Sequence, residues 1–289
     1  MKIDSKDFRV QPGEEVKLKK WATRVKPYYS SKEHYQKILG EHKEKLSVLQ
    51  SLLYASNLYS VLLVFQGMDA SGKDSAIKHV MSGINPQGCE VFSFKKPSSE
   101  ELRHDFLWRV MCRMPERGRI GIFNRSHYEE VLIVRVHPEM LQRQGLPDGV
   151  HKGSAIWHER YRSIRDMENH LARNGTQIIK FFLNLSKKEQ TRRFLERIDL
   201  PRKNWKLSID DLEERKYWKD YVKAYEACLH ATSTEAAPWY IVPADDKESA
   251  RLIISQVILD TLKPLKMSYP KPTKEHQKEL QAIRNQLTE

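Results

Sequence analysis

The stretch QGMDASGKDS, residues 66–75, follows directly on the apolar run VLLVF, 61–65, and leads into KDSAIKHVMSGI. Gly67, four intervening residues, Gly72 and Lys73 have the spacing of a phosphate-binding loop. Ala76, Ile77, Val80 and Met81 put an apolar stripe on the helix that should follow. A strand, a glycine-rich loop and a helix in that order admit few folds. The loop positions Gly67, Ala70, Ser71, Gly72, Lys73, Asp74 and Ser75 would wrap an anion. Backbone N–H groups of Ala70 to Lys73 would point at it, the helix N-terminus would add its positive dipole end, and Lys73 would neutralise a bridging phosphate. A chance glycine-rich turn is the competing reading, and the flanking strand and helix weigh against it.

One position breaks the pattern. Where such loops carry a Ser or Thr that holds magnesium, this chain has Asp74, and the run IGIF, 120–123, ends in Asn124 instead of a carboxylate. Both usual metal ligands are therefore missing, although phosphoryl transfer gathers more negative charge than Lys73 alone would offset. Asp69 is the nearest carboxylate. It is expected to bind Mg2+, or alternatively Mn2+, and to orient or deprotonate the attacking oxygen. The other reading is a turn-forming Asp bonded to backbone N–H groups.

Short apolar runs alternate with longer amphipathic stretches. VLLVF, VFSF (91–94), IGIF, IIKFFL (178–183) and WYIV (239–242) are expected strands with helix-length segments between them, which predicts an α/β fold with a parallel sheet covered by helices on both faces. In residues 33–54, Tyr35, Ile38, Leu39, Leu46, Leu49 and Leu53 recur near helical spacing and predict an amphipathic helix on that sheet. RQGLPDGVHKGS, 143–154, reads as a surface loop. We expect one domain over 1–264 with an N-terminal helical extension to about 58, and a loosely held polar tail over 265–289. No internal repeat is visible.

Lys plus Arg number 50 against 38 Asp plus Glu, a net charge of +12 with a pI near 9.4. That excess points to a polyanionic partner, whether nucleic acid, an anionic membrane or a phosphate-rich substrate, or else to a basic surface with no partner. Cys89, Cys112 and Cys228 are far apart, lack metal-ligand spacing and suit a reducing cytosol. The first ten residues, MKIDSKDFRV, hold no apolar signal core, and VLLVF is too short to span a bilayer. A soluble, cytoplasmic protein with no membrane association is the expectation.

GIFNRSHYEEVL, 121–132, places Asn124, Arg125 and Ser126 at the carboxyl end of a strand, where open α/β sheets bind ligands. Arg125 would grip a phosphate there, or else pair structurally with Glu129. Taken together, GMDASGKD, NPQGCEVFSFKKPSSEELRHDFLWR, FNRSHYEEVL, KFFLNLSKKEQTRRFLERI, LEERKYWKDYVKAYE and TSTEAAPWYIVPADDK run in the order found in the family 2 polyphosphate kinases, which this chain resembles over most of 20–262. The resemblance implies a thymidylate-kinase-like P-loop fold in which inorganic polyphosphate donates a phosphoryl group to a nucleoside mono- or diphosphate. It aligns Asp69 with the family's magnesium-linked catalytic Asp, Lys73 with its P-loop Lys and Arg125 with its phosphate-gripping Arg. It also places Asn124, Arg125, Tyr128 and Glu129 at the acceptor nucleotide. Asn at position 124 is similar to the class III subgroup, which also accepts monophosphates, where a carboxylate marks the diphosphate-preferring one.

The resemblance further implies a mobile lid over about 187–217. From Lys187 to Lys206 eight basic residues face three acidic ones, and Arg193 and Arg197 lie four apart, so Arg193, Arg197 and Lys206 are expected to clamp the phosphate chain. A merely exposed basic helix is the alternative. Phe194 and Trp205 are expected to pack the lid, base stacking being the other reading. Two departures stand out: Leu200 replaces an acidic residue common in relatives, and KESARL after Asp246 lacks their aromatic pair. By analogy with relatives the chain should form a homo-oligomer, a dimer or tetramer. An ATP-dependent nucleotide kinase would share loop, sheet and lid but would also need a second adenine site. A nucleic-acid-binding P-loop protein would need a base-stacking or groove-reading motif, and none is present, so no specific nucleic-acid partner is expected.

Overall fold

The computed structural model describes residues 3–147 and 153–288, so positions 148–152 of the expected 143–154 loop lie outside the described residues. All five apolar runs form strands: β1 (Ser60–Gln66), β2 (Cys89–Ser93), β3 (Ile120–Asn124), β4 (Thr176–Asn184) and β5 (Trp239–Pro243). They pair in parallel in the order β2-β3-β1-β4-β5. Every residue of β1 is buried, the mark of a central strand covered on both faces.

Alternation along the strands divides the core in two. Val61, Leu63 and Phe65 of β1, with Ile179, Phe181 and Leu183 of β4, face α1 (Lys32–Ser56), α2 (Lys73–Val80) and α10 (Lys247–Leu262). Leu62 and Val64, with Ile178 and Phe182, face the opposite layer, which contains α6 (Ala155–Arg173) and α9 (Trp218–Thr232). Short helices α3 (Trp108–Met111) and α4 (Ile133–Val136) add Val110 and Val136 to that side, α5 (Glu139–Gln142) follows with nothing buried, and α7 (Lys187–Asp199) and α8 (Ile209–Glu214) border the cavities at the carboxyl ends of the strands. The molecule is thus the three-layer α/β arrangement that the sequence predicts.

Helix α1 spans the segment expected for it. Ser31 caps it through the His34 N–H, and Asn57 ends it in the left-handed region at φ 51°. Its Tyr35, Leu39, Leu46 and Leu53 are buried, each contributing about 1.5–3 kcal/mol relative to an exposed side chain. The N-terminal extension is helical only from Lys32. Residues 3–31 carry two 3-10 turns, Ser5–Phe8 and Leu18–Lys20, and are tied to β5 through the Val10 N–H to the Trp239 carbonyl. Pro12, Gly13 and Pro27 interrupt any longer helix there. At the other end α11 (Lys274–Thr288) forms with none of its described side chains buried, in keeping with a loosely held tail.

Register positions the site. Phe65 lies opposite both Asn124 on β3 and Phe181 on β4, so the chain leaving β1 at Gly67 emerges between the ends of its two neighbours. That crevice at the carboxyl edge is where α/β sheets take ligands.

Candidate active site

The loop following β1 is shaped by close approach. Gly67 has φ 150°, and a Cβ there would lie 2.8 Å from Ser71 Oγ and 3.0 Å from the Leu183 carbonyl oxygen. Ala70 (φ 60°) and Arg125 (φ 63°) both occupy the left-handed region at the site, a conformation that costs a side-chain-bearing residue about 1–2 kcal/mol. Such strain gathers where surroundings hold it for function. Gly72 (φ 102°) caps α2, whose first residue is Lys73. The Lys73 ammonium is buried and donates to the Gly67 carbonyl at 2.7 Å. Burial, with Arg125 nearby, lowers its pKa to about 8. The Ser71 N–H is spent on the Met68 carbonyl, whereas those of Ala70, Gly72 and Lys73 meet no protein acceptor among the described residues. The expected row of inward N–H groups therefore lacks its second member.

Asp69 and Arg125 meet across the crevice, Arg125 Nη2 donating to Asp69 Oδ1 at 3.0 Å. Glu129 lies against them, and burial raises its pKa against the pull of Arg125 and Lys73. Asn124 Nδ2 donates to Asp74 Oδ1 at 2.8 Å, and Asp74 Oδ2 stands 3.9 Å from Lys206 Nζ. The carboxylate in the hydroxyl position of the loop is thus occupied by the Asn124 amide and faces the Lys206 ammonium. Ser75 Oγ accepts from Arg251 Nη2 at 2.8 Å.

Two cavities share Asp69, Arg125 and Asp211. The smaller, about 210 Å³, is walled by Met68, Ile133, Trp218, Tyr221 and Tyr225 with Glu129 and Glu214. The larger, about 790 Å³, runs over the phosphate loop and is lined by nine Lys and Arg side chains against four Asp and Glu. Arg197 and Lys206 line it, joined by Lys95, Lys96, Lys203 and Lys247. Lys95, Lys96 and Lys247 escaped the sequence reading, although KKP directly after a strand and a Lys at a helix start beyond β5 mark carboxyl-edge positions. The aromatic wall Trp218, Tyr221 and Tyr225 also escaped it; the i, i+3, i+7 spacing on α9 is its signal.

A family model described as Polyphosphate kinase 2 (PPK2) matches residues 29–270. The chain belongs to the polyphosphate kinase 2 family. It is 64% identical over 287 residues to the ADP-polyphosphate phosphotransferase of Rhodopseudomonas palustris, covering 99% of each chain. It is 43% identical to the AMP/ADP-polyphosphate phosphotransferase of Meiothermus ruber, over 92% of this chain and 96% of that one. The crystal structure of Polyphosphate Kinase 2 from Arthrobacter aurescens TC1 superposes with a TM-score of 0.86 at 37% identity, covering 96% of both chains. This likeness supports the P-loop kinase fold derived above.

Three expectations are corrected by the geometry. Tyr128, expected at the acceptor nucleotide, is fully buried below the sheet edge. Its hydroxyl donates to Glu168 Oε1 at 2.7 Å and accepts from Lys180 Nζ at 2.8 Å, because Lys180 on β4 points into the core and needs partners. Arg193, expected to clamp phosphate, borders the larger cavity but has every N–H engaged by protein: Nε by Glu189, Nη1 by the Ala70 and Ser71 carbonyls, Nη2 by those of Ala244 and Asp245. Its face of α7 is turned to the loop. Trp205, expected to be packed, is instead 78% exposed at the larger cavity with the Lys206 ammonium 4.9 Å from its ring centroid, whereas Phe194 is buried.

For a metal, among the described residues no group of three or more His, Cys, Asp or Glu stands together. Asp69 offers one carboxylate at the seam of the cavities, with only Oδ1 engaged by Arg125. That donor set fits Mg2+, which commonly takes one or two carboxylates and completes its shell with substrate phosphates and water. No described helix is long and apolar enough to cross a membrane.

Proposed function

We propose that this polyphosphate kinase 2 transfers a phosphoryl group from inorganic polyphosphate to a nucleoside mono- or diphosphate, making ADP from AMP and ATP from ADP, in a reversible reaction. The observation that carries this reading is the pair of cavities meeting at Asp69 and Arg125. The smaller has aromatic walls suited to a base and ribose; the larger is a basic trough whose nine Lys and Arg outnumber its two aromatic side chains, the buried Phe94 and the exposed Trp205, and is suited to a chain of phosphates. An ATP-dependent kinase would need two base sites. The names of the Rhodopseudomonas and Meiothermus relatives, which refer to polyphosphate with ADP and with AMP or ADP, support the same substrates.

In this reading the acceptor phosphate enters from the smaller cavity between Arg125 and Asp69, and the donor lies along the larger. Lys73 turns from the Gly67 carbonyl to the phosphoryl being transferred, while the free N–H groups of Ala70, Gly72 and Lys73 hold its oxygens. Mg2+, or Mn2+ in its place, would be held by Asp69 and would offset charge on the phosphates. Asp69 also orients the attacking oxygen. Arg197 and Lys206 grip phosphates further along. Supplying polyphosphate and Mg2+ with AMP, ADP, GMP and GDP in turn, with no nucleoside triphosphate present, tests this; ADP and ATP should appear from the adenine nucleotides. Absence of all four products would reject it.

Asn124 is proposed to admit the monophosphate. Asn124→Asp would set a second carboxylate against Asp74, where the amide now donates at 2.8 Å. Two like charges that close repel by about 1–4 kcal/mol unless a cation or proton joins them. The variant is expected to lose about tenfold or more in kcat/KM with AMP while keeping most of its activity with ADP. Equal losses on both acceptors would remove Asn124 from the choice.

A further inference from the structure

We infer that Gln190 and Arg193 are positioning residues, which aim the phosphate loop at its anion by anchoring the opposite face of its backbone. Helix α7 holds three successive loop carbonyls. Gln190 Nε2 donates to Asp69 O at 3.0 Å, and Arg193 Nη1 donates to Ala70 O at 2.9 Å and Ser71 O at 3.0 Å. A trans peptide points its C=O and the next residue's N–H in opposite directions. The carbonyls of Asp69 and Ser71 belong to the same peptide planes as the Ala70 and Gly72 N–H groups, which have no protein acceptor. Fixing the first pair toward α7 therefore turns the second pair away from it, into the basic trough. The remaining tie, to Ala70 O, falls on the residue held at φ 60°, where a side chain is disfavoured and the surroundings must supply the difference.

Arg193 is built for this task. It is 4% exposed, Glu189 Oε1 meets its Nε at 2.9 Å, and its Nη2 reaches back to the Ala244 carbonyl at 2.5 Å, beyond β5. The guanidinium thus spans from the β5 end to the loop, with its charge matched by Glu189. A lysine could not make these five bonds, having three donors on one rotating centre. The start of α7 belongs with the loop, and beyond it Arg197, Lys206 and Lys203, the last paired with Glu196, line the trough.

The inference rests on the reading of the loop as the polyphosphate site, and the test separates the two. Tripolyphosphate affinity is measured at several salt concentrations for the parent, Gln190→Ala, Arg193→Lys, Arg193→Ala and, for comparison, Lys206→Ala, alongside thermal unfolding. A side chain that pairs with phosphate releases counterions, so its loss flattens the dependence of log Kd on log salt by about 0.7. We expect Lys206→Ala to do this. Folded Arg193→Lys and Arg193→Ala should bind about tenfold more weakly, and Gln190→Ala about threefold, all with the parent's slope. Should Arg193→Ala not fold, Gln190→Ala and Arg193→Lys decide the matter. Parent affinity in folded Gln190→Ala and Arg193→Lys would reduce the pair to a structural tie and overturn the inference. A flattened slope in Arg193→Ala would make it a phosphate contact and overturn it too. A parent that binds tripolyphosphate yet turns over no polyphosphate with ADP or AMP would defeat the proposed function and leave this comparison standing.

Discussion

Lys73→Ala is expected to lower polyphosphate-dependent turnover by about a thousandfold or more while leaving the protein folded. The Lys73 ammonium sits in the loop with the Gly67 carbonyl as its near partner at 2.7 Å and the Met68 carbonyl at 3.4 Å, neither of which carries a full charge. Its charge is therefore kept buried at a cost to stability that the nearby carboxylates of Asp69, Glu129 and Asp74 offset only in part, until phosphate arrives. Removing it takes away the group that meets charge developing on the phosphoryl oxygens, and also that cost, so the melting temperature should stay level or rise. The same geometry sets a pH limb. Burial and Arg125 lower the Lys73 pKa to about 8, so the free enzyme holds its proton below that pH and loses it above. The parent's kcat/KM for polyphosphate should fall as pH rises through about 8, since this ratio reports groups of the free enzyme. Turnover near the parent level in Lys73→Ala, measured with ADP and polyphosphate, would sink the assignment of this loop.

The frame of the molecule was legible because its signals are local. Five apolar runs each exceed what a loop would tolerate, and every one became a parallel strand. The loop at 66–75 needed only its own glycines and its neighbours. Asn124 and Arg125 were read as strand-end residues, and the β1–β3 register then brought them to the loop. What stayed hidden depends on partners far along the chain. Tyr128 is one residue from Glu129, yet one is buried with Lys180 and Glu168 while the other lines the smaller cavity. No spacing within HYEEV announces that Lys180, on another strand, will demand a hydroxyl. Arg193 and Arg197 look alike on a helix four residues apart, but only the first meets carbonyls of the loop and of the segment after β5. The stripe Trp218, Tyr221 and Tyr225 reads the same whether it faces core or cavity, since hydrophobic periodicity identifies a face and not what covers it.

Asp69→Asn is expected to be as damaging as the loss of Lys73, and its response to metal separates two roles for the carboxylate. The replacement is nearly isosteric and keeps an oxygen able to accept from Arg125 Nη2, now 3.0 Å from Asp69 Oδ1, so Arg125 should remain in place. What disappears is the negative charge at the seam of the two cavities. If that charge only holds Mg2+, the variant should bind metal more weakly in the presence of tripolyphosphate, a change that Mn2+ titration followed by electron paramagnetic resonance would register, and saturating metal should restore the rate. If the carboxylate also orients the acceptor oxygen or takes its proton, an amide cannot replace it, because it offers no basic oxygen at neutral pH. We expect the second pattern: weaker Mn2+ binding, with kcat still about a thousandfold low when metal is saturating. Recovery at high metal would confine Asp69 to holding the ion. Parent turnover and parent Mn2+ affinity together would remove Asp69 from the site altogether, and the half-buried Glu129, whose pKa is raised by burial beside Arg125, would be the carboxylate left to test.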